Sequence, residues 1–137
     1  MKRYTLVIAL CLSMGIGAGW TLAQQLPFSA ARSAGDTLYV SGQIPIKPDG
    51  SFEEGDAGAQ TRQVMENVGK VLKENGYTFD DVVKASVFLK SMDDYQEMNA
   101  AYRSFFSDKY PARECVGGLE IARGLNVEIS VIAHKTR

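Results

Sequence analysis

The chain is poor in the residues that carry out most side-chain chemistry. In 137 residues it has one histidine, His134, and two cysteines, Cys11 and Cys115. Those two residue types cannot by themselves supply the four ligands of a structural zinc site. A Ser-His-Asp triad would have to recruit His134, close to the last residue, which is a poor place for it. No G-x-x-x-x-G-K-[ST] or G-x-G-x-x-G string occurs, so nothing cradles a nucleotide phosphate in the usual way. Charge of one sign is also scarce. Fifteen Lys+Arg stand against sixteen Asp+Glu, a net charge of −1, which is no footprint for nucleic acid. At 45% hydrophobic and 23% charged, the composition is that of an ordinary globular protein, long enough for one domain.

Residues 1–23 read as a secretory leader outside that domain. Lys2 and Arg3 give a basic start, residues 5–23 carry no charge, and Thr21 and Ala23 are small residues at the positions a signal peptidase inspects. The alternative is an uncleaved anchor, since such a run could barely cross a bilayer. Cleavage would make Gln24 the first mature residue and leave one domain over 24–137, exported to the periplasm or secreted, with no stable membrane association. Without Lys2 and Arg3 the mature chain carries 13 basic and 16 acidic residues, a net charge of −3. Its single cysteine, Cys115, excludes an internal disulfide.

In the remainder, residues 26–41 predict two strands around the Ala34-Gly35-Asp36 turn. Residues 43–55, with Pro45, Pro48 and Asp49-Gly50, read as loop. Val64, Met65, Val68, Val71 and Leu72 form one apolar stripe on a helix over 56–75, stopped by Asn75-Gly76. A strand over 82–90 alternates, with Val83, Ala85, Val87 and Leu89 inward. A second helix, capped by Ser91 or Asp93, runs to about Phe106 with the stripe Tyr95, Met98, Tyr102, Phe105 and Phe106. Asn99 beside that stripe reads as a satisfied core amide. Strands over 112–121, with Gly117-Gly118 inside, and over 126–134 complete the chain. This order predicts an α+β fold, a mixed sheet with two helices on one face. The other face keeps too much apolar surface for a monomer, which predicts a homo-oligomer.

Five strings occur in order: Ser41-Gly42-Gln43-Ile44-Pro45, Asn67 in the first helix, Met98-Asn99-Ala100-Ala101-Tyr102, Pro111-Ala112-Arg113-Glu114-Cys115-Val116, and Val127-Glu128-Ile129. Together, from about Leu26 to Ala133, they resemble the RidA (YjgF) family of enamine/imine deaminases. The resemblance implies a chorismate-mutase-like sheet backed by two helices, a homotrimer, and ligand sites between subunits. It implies hydrolysis of 2-imino acids such as 2-iminopropanoate, or their enamines, to 2-keto acids and ammonia, with no metal or organic cofactor.

On this resemblance Arg113 binds the substrate carboxylate, which suits the planar guanidinium fork. Glu128 holds and polarises the attacking water. The backbone at Cys115 helps hold the ligand, while its thiol reads as a packing group, no base being placed to activate it. Phe28 walls the pocket where the family often has tyrosine, so a hydroxyl donor is missing. Ser41 offers a polar contact. The family's Leu-Pro before the last strand is Ala122-Arg123 here. The competing expectation is a carboxylate-binding protein of the same fold without catalysis. An interaction or holdase-like protein using the exposed sheet is a third. A single-strand ribonuclease is disfavoured by the net charge and the lack of an aromatic-basic strip.

Overall fold

The computed structural model describes residues 26–135. The leader expected over 1–23 lies outside them. Among the described residues no helix is long and apolar enough to cross a membrane.

Among the described residues five strands and two α-helices follow one another. They are β1 (Ala31–Ala34), β2 (Thr37–Gln43), α1 (Ala57–Glu74), β3 (Val82–Leu89), α2 (Tyr95–Arg103), β4 (Ala112–Val116) and β5 (Val127–His134). They form one mixed sheet in the order β1-β2-β5-β3-β4. Only β3 and β4 pair in parallel, with α2 in the crossover between them. This is the expected α+β architecture, built on the expected order of elements.

The helix starts and stops follow local chemistry. Asp56 caps α1 by accepting from the Ala59 N–H at 2.7 Å. Gly76, with φ of 81°, takes the left-handed position beyond its end. The α1 stripe Val64, Met65, Val68, Val71 and Leu72 is buried against one sheet face. That face presents Leu38, Val40, Ala85, Val87, Leu89, Val127, Ile129, Val131 and Ala133.

Three expectations need correction. In β3 the inward residue is Val82 and not Val83, which is exposed. The pairing with β5 shifts between Val82 and Lys84, a bulge that turns the strand by one residue. Helix α2 ends at Arg103, short of Phe106. The Ser104 hydroxyl donates to the Ala101 carbonyl at 2.7 Å there, and Phe105 and Phe106 follow in a turn while still packing on the core. Gly117 and Gly118 lie beyond β4, which stops at Val116. A Cβ on Gly117 would come within 2.5 Å of the Met92 side chain, and Gly118 has φ of 77°, so the pair turns the chain away under Met92.

The other sheet face is open. Tyr39, Val83 and Val116 stand there or at its margin, each between 45% and 49% exposed. Among them the Glu114 carboxylate is bridged by Lys84 and Ser86. The Lys84 ammonium, then the Ser86 hydroxyl, hold its pKa below the usual carboxylate value.

The loop between β2 and α1 is tied down by Asn67. Its amide donates to the Ile44 carbonyl at 3.0 Å and to the Ile46 carbonyl at 2.9 Å. Asn67→Asp removes both donors without changing size. It should lower the unfolding free energy by about 1–3 kcal/mol. A urea midpoint unchanged from wild type would show that the loop is held by other contacts.

Candidate functional site

Arg113 sits on the edge strand β4, in register with Ala85, so its side chain leaves the sheet on the helix-covered face. There α2 receives it. Its Nη2 donates to Asn99 Oδ1 at 2.7 Å and makes a long contact with the Tyr95 hydroxyl at 3.5 Å. Nη1 lies 3.7 Å from the Met98 sulfur. The guanidinium stacks 4.8 Å from the centre of the Tyr102 ring, a favourable cation–π contact. No carboxylate neutralises it among the described residues. A positive fork is thus fixed in place by neutral groups.

It opens into a pocket of about 260 Å³ lined by Asn99, Tyr102, Arg103, Tyr110, Pro111 and Arg113. This is smaller than a drug-sized site and suits a small metabolite. Tyr110 forms a lip, its ring 6.0 Å from Phe106. The Tyr102 hydroxyl is buried with no hydrogen-bond partner among the described residues. Burial pushes its pKa up to about 12, against the opposing pull of Arg113. It therefore remains a neutral donor at any physiological pH. An unsatisfied buried hydroxyl costs stability.

Cys115 follows Arg113 on the same face and packs against the core. Burial raises its thiol pKa, only partly offset by Arg113, so the thiolate is scarce. The expectation of a packing group fits that environment.

Glu128 lies elsewhere. On β5 it alternates with buried Val127 and Ile129, so it projects to the open face. Its partner in β3 is Phe88, which also pairs with Val116 of β4. Glu128 is thus two strands across and three residues along from Arg113, on the order of 14 Å by sheet spacings, and on the opposite face. Its carboxylate rests on Gly42, where a Cβ would fall 1.9 Å from Oε1. A bulge between Val40 and Gln43 makes that approach. Beside it, the Ser41 hydroxyl donates to the Ser29 carbonyl at 2.6 Å, which secures the segment carrying exposed Phe28.

The five expected site residues therefore form two groups. Arg113 and Cys115 belong to the β4–α2 edge, and Ser41, Phe28 and Glu128 to the β2–β5 side. One chain does not bring the groups together. Asn99 is a correction: it is no core amide but the acceptor that orients Arg113. Tyr95 and Tyr102, expected only as core stripe, also flank the guanidinium. Their spacing one helical turn apart from Met98 and Asn99 was the available signal. Among the described residues no group of three or more His, Cys, Asp or Glu side chains could hold a metal ion.

Residues 21–135 match the protein family described as Endoribonuclease L-PSP. A RutC family protein of Pyrococcus horikoshii is 42% identical over 110 residues, covering 80% of this chain and 87% of its own. The crystal structure of RidA from the Antarctic bacterium Psychrobacter sp. is 34% identical, with a TM-score of 0.76, covering 80% of this chain and 89% of that one. The crystal structure of Escherichia coli TdcF with bound serine is 30% identical, with a TM-score of 0.76, and covers 80% of this chain and 89% of that one.

Proposed function

The chain belongs to the Endoribonuclease L-PSP family, which takes in the RutC, YjgF and Rid proteins, and from that premise we propose that it hydrolyses 2-imino acids to 2-keto acids and ammonia. The observation that carries this reading is the unneutralised Arg113 guanidinium, held by Asn99 and Tyr102 at a metabolite-sized pocket. A 2-imino acid offers that fork one carboxylate, gripped bidentately. The relative solved with bound serine, an amino acid with the same carboxylate, supports the ligand class.

The reaction then needs little else. With the carboxylate fixed, the C=N carbon is presented to water. Glu128 takes a proton from that water as its oxygen bonds to carbon, and returns it to nitrogen. In the carbinolamine so formed the hydroxyl proton passes by way of Glu128 to the nitrogen, the C=O bond forms as the C–N bond breaks, and ammonia leaves a 2-keto acid. General base assistance of this kind contributes roughly 10²–10⁴-fold.

Arg113 and Glu128 stand on opposite faces of one chain, so the site is completed by a second copy. A homotrimer packing one chain's β4 edge against the next chain's open face would join the two groups. The apolar side chains on that open face, Tyr39 and Val116 among them, favour such burial.

A second reading, ligand binding without turnover, is favoured by Phe28, which lacks a hydroxyl where one could serve as donor. The deciding experiment generates 2-iminopropanoate in situ with an amino acid oxidase and follows its loss with and without the protein. Accelerated loss is expected. Binding of pyruvate with no acceleration would leave the second reading standing. An RNA substrate in the same buffer should stay intact, and its cleavage would replace the hydrolase reading.

A further inference from the structure

A second arginine, which the hydrolase reading does not use, lines the pocket at Arg113. Arg103 is the last residue of α2 and lines the same pocket. It is exposed, and a cation there suits the helix C-terminus. Among the described residues Arg103 has no ion pair or side-chain hydrogen bond, and no acidic residue lines the pocket. Two arginines thus line one small cavity in a chain whose net charge is negative. Two cationic residues at one cavity are complementary to a ligand bearing two negative groups.

We propose that this pocket selects dicarboxylates, with Arg113 holding the 2-carboxylate and Arg103 the distal one, so that the preferred substrate is a four- or five-carbon dicarboxylic 2-imino acid. The proposal deepens the hydrolase reading and rests on it for the reaction, but not for the binding. A cavity of about 260 Å³ has room for such a chain. The imine would be supplied by a reaction class that oxidises acidic amino acids at the α-carbon.

The test compares 2-oxoglutarate with 2-oxopentanoate, which share a chain length and differ by a terminal carboxylate in place of a methyl. Calorimetry on the full chain should find the diacid bound about tenfold more tightly, the ratio shrinking as salt rises. Arg103→Gln should bring the ratio to about one, and Arg103→Glu should invert it, in protein that keeps its wild-type circular dichroism. Equal binding of the two acids by wild type overturns the proposal. So does a preference that survives both substitutions. Turnover is measured separately, on the imines formed by oxidases from glutamate and from norvaline. Diacid preference without turnover keeps this inference and removes the hydrolase. Turnover of both imines at equal efficiency keeps the hydrolase and removes this inference.

Discussion

Arg113→Ala should lose about 30- to several-thousand-fold in kcat/KM for 2-iminopropanoate hydrolysis. That range corresponds to about 2–5 kcal/mol for one partner of a charge-assisted pair in a partly desolvated cleft. The substrate carboxylate is its only full negative charge near neutral pH, and no other described side chain is clamped as this one is. Arg113→Lys should recover little. An ammonium cannot donate in the plane that Asn99 and Tyr102 impose on the guanidinium, and it cannot grip two oxygens in parallel. The loss should fall on pyruvate binding as well as on turnover, because the same fork serves both. Wild-type activity in folded Arg113→Ala would end the assignment of the site.

Gly42→Ala should act on the opposite half of the site. Its new Cβ would lie 1.9 Å from Glu128 Oε1, so the carboxylate must swing away. That group is the far end of a flexible side chain, and its displacement should cost only about 1 kcal/mol of stability. Turnover is another matter. If Glu128 manages the water proton, moving it should lower kcat by roughly 10²–10⁴-fold, while pyruvate affinity stays near wild type. Glu128→Gln should show the same split. The double variant Gly42→Ala/Glu128→Ala should be no slower than Glu128→Ala alone, since both changes remove one function. Independent, multiplying losses would mean that Gly42 matters for some reason other than making room for Glu128.

The two halves of the site were legible to different degrees. Arg113 and Glu128 stood out by string and residue type, and the strict alternation of β5 put Glu128 on the open face. Asn99 was misread because an amide on an apolar stripe looks like a core group. Its partner arrives from a strand 14 residues later, and only the parallel β3–β4 pairing brings that strand under α2. Arg103 gave no signal, since a basic residue ending a helix is ordinary. Two of the three errors in the fold share one cause: apolar residues continued past the true end of an element. Phe105 and Phe106 kept helical spacing beyond Ser104, and Leu119 and Ile121 kept strand spacing beyond the Gly117-Gly118 turn. The Val82–Val83 slip came from a bulge, which a perfect two-residue period cannot register.

The position of β4 also bears on how the protein breathes. It is a five-residue edge strand, paired on one side only, and reached through a crossover that must dock α2 first. A short strand paired along one edge opens more readily than one held along both. Backbone amides of β4 should therefore exchange with deuterium well before those of β5, which is enclosed by β2 and β3. Arg113 would then be carried on one of the two edge strands of the sheet, and a bound carboxylate, tying β4 to α2 through that one side chain, should slow the exchange of β4.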